Sequence, residues 1–152
     1  MKESPRDNEL HKRLQASKFS GEGFLGTDDR PLDEIITEDR RAQEETGVPK
    51  QELVAALKKV FAQARDSQED EIVVSDGITA RYFESRGKIP SPFRGDGVYE
   101  KGEVEVTEKA SGRTLHITSL GIALIEKHDF YQGIGSYYRM SPAAIVEMLI
   151  QK

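Results

Sequence analysis

At 152 residues the chain has the length of one ordinary domain, enough to bury a true core. A hydrophobic share of 36% against 32% charged residues is a globular composition, short of the extreme that keeps a chain unfolded. The formal charge of -5 argues against a nucleic-acid backbone binder, and the lack of cysteine excludes disulfides, thiolate metal sites and thiol catalysis.

No apolar run approaches the roughly 18 residues a membrane span needs. The opening MKESPRDNELHKRLQASKF is positively charged but has no apolar centre, so it does not read as a secretory signal. These features predict a cytoplasmic protein with no membrane association. Residues 1–18 read as a polar tail and 19–152 as a single domain. Within 19–30, FSGEGFLGTDDR sets Phe19, Phe24 and Leu25 among three glycines. Such a segment is an arm laid over the core, or alternatively a strap reaching a partner subunit.

Pro31 reads as the first position of a helix, with Asp33 and Glu34 placed to complement its positive end. Leu32, Ile35, Ile36 and Ala42 form its apolar stripe, the charged run from Glu38 to Glu45 its solvated face, and Gly47 its left-handed end. Val48-Pro49 restarts the chain. A second helix over about 49–65 follows, with Leu53, Ala56, Leu57, Val60, Phe61 and Ala64 on one side. The two make a helical pair.

Beyond residue 70 the apolar period falls to two. Ile72 and Val74, then Ile78, Ala80 and Tyr82, flank Asp76-Gly77, a hairpin signal in which both central residues take positive φ. Residues 87–97 read as a proline- and glycine-stiffened loop carrying Phe93. Val104/Val106 and Leu115/Ile117 alternate with polar residues around Ser111-Gly112. If both pairs face the core, odd positions pair with even ones, and His116 lies on the polar face near Glu105 or Thr107. A helix over 120–128 capped by Ser119 is preferred to a buried strand, and Ser141-Pro142 opens a last helix over 142–151. Its expected buried stripe is Ala144, Ile145, Met148 and Leu149. The predicted class is α+β: an N-terminal helical pair, an antiparallel meander of about four strands, and one or two C-terminal helices.

Few residues suggest chemistry. His128-Asp129 invites comparison with metal-dependent phosphohydrolases, but three histidines in all, one of them on a strand, are too few. A looser metal site of His116, His128 and Asp129 remains as the alternative, which would make the chain a metal-assisted hydrolase or lyase. Its plainer counterpart pairs His116 with a glutamate and sets His128 at a helix C-terminus. Gly133-Ile134-Gly135 lacks the third glycine and the βαβ unit of a dinucleotide loop, and serves better as a bend. Asp28, Asp29 and Asp33 are explained by helix-dipole capping. The rings of Phe130, Tyr131, Tyr137 and Tyr138 read first as core or interface. A small-molecule or peptide pocket of Phe93, Tyr131 and Tyr138, with Arg139 as anion anchor, is the second reading.

The runs Gly23–Pro31, Arg86–Phe93 and His128–Gly133 resemble patches of small, uncharacterised bacterial proteins. That resemblance spans roughly residues 23–142 and implies a bacterial cytoplasmic protein, with no activity, substrate or cofactor attached. The aromatic-rich C-terminal segment, the hydrophobic arm at 19–25 and the lack of a catalytic set give the functional expectation: a non-enzymatic binding or regulatory module that self-associates, with no cofactor.

Overall fold

The computed structural model describes residues 23–150 and has the α+β architecture expected. Helices α1 (Leu32–Glu45) and α2 (Lys50–Asp66) come first, then strands β1 (Ile72–Ser75) and β2 (Ile78–Phe83). A short ribbon of β3 (Lys88–Pro90) and β4 (Val98–Glu100) follows, then β5 (Glu103–Glu108), β6 (Thr114–Thr118), α3 (Ser119–His128) and α4 (Pro142–Ile145). The main sheet is antiparallel in the order β1-β2-β5-β6, so the meander is interrupted by the ribbon, which forms its own two-stranded sheet. The expected loop at 87–97 is thus partly strand: Lys88 pairs with Glu100, Ile89 with Tyr99 and Pro90 with Val98.

Period-two alternation sets the register. Val104 pairs with Ile117, Val106 with Leu115 and Glu105 with His116, the odd-with-even parity that a shared buried face demands. On that face Ile78, Ala80, Val104, Val106, Leu115 and Ile117 meet Leu53, Leu57, Val60 and Phe61 of α2 in the main core. A second cluster joins the arm to two helices: Phe24 and Leu25, Leu32 and Ile35 of α1, Leu120 and Leu124 of α3, and Phe130.

The arm is therefore core material from residue 23 onward; Phe19 lies outside the described residues, as does the tail. Its backbone interlocks with the bend after α3. Gly133 N donates to the Phe24 carbonyl at 2.8 Å and Thr27 N to the Ile134 carbonyl at 3.0 Å. A Cβ on Gly26 would strike the backbone of Gly135 and Ser136, and one on Gly133 would strike the Leu25 carbonyl. Glycine is required here by close approach. Asp28 is not a dipole cap. It takes a two-pronged bond from Arg30 and a further one from Ile134 N at 3.1 Å, locking arm to bend.

Several expectations are corrected in detail. Pro31, with ψ 146°, is the N-cap of α1 and not its first helical residue. Asp39, read as part of a solvated charged face, is 5% exposed because Arg139 reaches it from across the fold. At the β1–β2 turn only Gly77 has positive φ, and a register shift between Val73 and Ser75 makes up the geometry without a strained Asp76. α3 is helical as preferred, but Thr118 caps it, its hydroxyl accepting from Gly121 N at 2.9 Å. The last helix keeps its Ser141 cap and then widens into a π turn over Val146–Ile150. The wider turn brings Val146 inward with Ile145 and Met148, leaving Ala144 and Leu149 only part-buried.

Candidate functional site

The sheet's second face, turned away from α2, carries the polar half of each alternating strand. Arg81, Glu105 and His116 stand in one cross-strand row, and Phe83, Glu103 and Thr118 in the next. Tyr137 and Tyr138, from the bend, approach this face. The Tyr137 ring stacks on His116 at 4.2 Å between centroids and meets Tyr138 edge-on at 4.7 Å.

Glu103 is the hub. His116 Nδ1 lies 3.2 Å from Glu103 Oε2, and since a carboxylate only accepts, that nitrogen carries the proton. Tyr138 donates its hydroxyl to Oε1 at 3.1 Å and Tyr137 to Oε2 at 3.4 Å. The His116 contact and the tyrosine donors outweigh partial burial and hold the Glu103 carboxyl below the usual carboxylate range. Burial, together with the negative charge of Glu103, pushes the Tyr138 phenol upward, and Tyr137 moves the same way.

Beside this hub opens a cleft of about 220 Å³, where six segments converge. Phe24 of the arm, Ile89 of the ribbon, Leu120 of α3 and Phe83 at the end of β2 give its apolar walls. Glu84, Glu100, Lys101, Glu103, Gln132 and Tyr138 supply its polar groups. Gln132 is 4% exposed and adopts φ 70°, a left-handed conformation uncommon outside glycine, which turns its side chain under the bend.

The sequence-predicted site residues do not gather in one place. Tyr138 lines the cleft. Phe93 instead covers the second core cluster, stacked on His128 at 3.8 Å and edge-on to Phe130 at 6.0 Å. Tyr131 is 2% exposed within the main core, its hydroxyl without a partner among the described residues and its pKa raised by burial. Arg139, expected to anchor an anion, donates to both Asp39 oxygens at 2.8 Å and to the Gln132 carbonyl at 2.7 Å. Its charge is already matched within the fold.

The three residues of the metal reading are likewise dispersed into separate pairs. His116 faces Glu103, His128 Nε2 meets Asp96 at 2.6 Å, and Asp129 bridges Arg40 and Lys50, each at 3.1 Å. Among the described residues no group of three histidine, aspartate or glutamate side chains is placed to hold a metal ion. Ribbon and bend do meet around a concavity, but through Ile89, Gln132 and Tyr138. Sequence reasoning missed Glu103 and Gln132; only the alternation that pairs β5 with β6 hinted that a glutamate would stand near His116. No family model, curated protein or solved structure matches the chain.

Proposed function

We propose that the protein is a non-enzymatic binding module whose ligand site is the cleft beside Glu103. One observation carries this reading: a part-buried carboxylate, braced by three donors, faces a concavity with apolar walls, the usual build of a small recognition site. The same bracing disfavours proton transfer. A general acid or base works best with a pKa near the operating pH, whereas Glu103 is shifted down and Tyr138 up, both away from neutrality.

The test is backbone amide shift mapping with a library of small polar fragments. Hits should perturb Gly102, Glu103, Leu120 and Gln132, and Ser85→Trp, which fills the rim, should abolish those shifts while leaving the rest of the spectrum in place. Fragments that bind only elsewhere would remove the proposal.

Self-association is a second reading with one observation behind it. β1 is an edge strand of the main sheet, and Val73 on it is 76% exposed. Light scattering across a wide concentration range should then show a dimer that Val73→Lys disrupts. A cysteine-free chain suits the reducing cytoplasm, the location this reading assumes.

A further inference from the structure

The geometry points to a cationic occupant for this cleft: a guanidinium or ammonium head on a short apolar stem. The inference rests on the binding reading above and names the chemistry of its ligand. Three carboxylates, Glu84, Glu100 and Glu103, line the cleft against one ammonium, Lys101. Glu84 and Glu100 are exposed at the mouth, and Glu103 stands deeper with its side chain 18% exposed. A carboxylate has about four lone-pair directions, so three donors leave Glu103 room for one more. The other positive feature nearby, the start of α3, is capped from within by Thr118.

Gln132 gives a second indication, independent of charge. Ser136 Oγ stands 3.1 Å from the Gly23 carbonyl and 2.9 Å from the Gln132 side-chain oxygen, both acceptors, yet it has one proton. Exchanging the amide's oxygen and nitrogen, which are alike in shape, removes the conflict at Ser136: its hydroxyl donates to Gly23 and accepts from the Gln132 NH2. The amide oxygen then becomes the end remote from Ser136, and that end has no hydrogen-bond partner among the described residues. Gln132 is nine-tenths buried and lines the cleft, so this oxygen is a fixed acceptor awaiting a donor. A carboxylate and an amide oxygen at the base, with no matching donors of their own to offer, select a ligand rich in N–H groups.

Size and walls narrow the class. About 220 Å³ is below the roughly 300–1,000 Å³ of sites for drug-sized molecules, so the cleft suits one side chain or one small amine. Phe24, Ile89 and Leu120 would flank the stem, and Phe83, 46% exposed at the rim with the Arg81 guanidinium 5.8 Å over its ring, extends the apolar wall. The same head could arrive on a free small molecule or on a basic side chain of a peptide.

Titration of the full chain with N-butylguanidinium, its neutral isostere N-butylurea and pentanoate, followed by amide shifts, tests the class. The guanidinium should bind at least tenfold tighter than the urea, weaken as salt is raised, and lose at least tenfold with Glu84→Lys/Glu100→Lys. Both of those residues are exposed, so the variant should fold; Glu103→Gln should lose more. A tenfold gain for acetyl-Gly-Arg-Gly-amide over butylguanidinium would assign the head to a peptide, and no gain would assign it to a free amine. Urea or pentanoate shifting the cleft amides as strongly as the guanidinium would overturn the cationic inference and leave the binding site standing. Silence of the cleft amides to all three would overturn both.

Discussion

Gly133 leaves no room for a methyl group, because its Cα faces the Leu25 carbonyl across the arm–bend contact. Gly133→Ala should therefore cost about 1–3 kcal/mol, the range for forcing atoms into a packed site. Gly47, with φ +75° and open space around it, isolates the conformational cost alone, and Gly47→Ala should lose about 1 kcal/mol. Urea denaturation of the two variants makes the comparison, and a smaller loss for Gly133→Ala would mean that arm and bend are not in contact. Arg139 poses the opposite problem, a charge whose removal strands another. Asp39 is 5% exposed and takes both its bonds from that guanidinium, so Arg139→Met should destabilise by about 3–5 kcal/mol. Asp39→Asn/Arg139→Met should be milder than the two single losses added, by about 1 kcal/mol or more. Strict additivity would show the pair to be uncoupled.

Between β6 and α3 the chain turns from strand to helix with no loop, and one hydroxyl manages the change. Thr118 ends the strand and its Oγ1 accepts from Gly121 N. Thr118→Ala should cost about 1 kcal/mol, Thr118→Ser much less, and Ser119→Ala less than about 0.5 kcal/mol. Thermal unfolding decides, and a larger loss at Ser119 would return the cap to that residue. The contrast shows where elements were legible. Strand register followed from alternation at Val104, Val106, Leu115 and Ile117, because one buried face leaves a single parity open. The cap falls on Thr118 and not on the expected Ser119, because the two are adjacent and equally able and only the three-dimensional turn decides between them. Asp39 was hidden by its neighbours, for Glu38, Arg40 and Arg41 are all exposed and the partner that buries it lies 100 residues away. The cleft was hidden more thoroughly. Its walls come from residues as far apart as Phe24, Ile89, Glu103 and Gln132, and no local spacing relates them. Of its lining the sequence points only to Tyr138, and to its ring, whereas its hydroxyl is what braces Glu103.

At the scale of the molecule, two carboxylates tie distant segments together and make the fold sensitive to acid. The Arg30 guanidinium, with help from the Ile134 and Arg30 backbone amides, brings Asp28 down to about 2, while His116 and the tyrosines lower Glu103. For a group whose folded pKa lies below its unfolded value, the native state holds fewer protons than the unfolded one in the window between them. Its stabilisation is complete above the unfolded pKa, near 4, and is lost as pH falls through the folded value. Asp28 should contribute on the order of 1–2 kcal/mol at pH 7, discounted because Arg30 is partly open to solvent. The urea midpoint should thus hold steady from pH 7 to about 5 and decline steeply between about 4 and 2. Asp28→Asn removes that carboxylate and keeps the size of the side chain. The variant should be less stable at pH 7 and show a shallower decline below pH 4, so the two profiles converge in acid. Parallel profiles would mean that Asp28 titrates alike in the folded and unfolded chain, and neither its ion pair with Arg30 nor the bond it accepts from the Ile134 amide across to the bend would then add to the stability of the second core cluster.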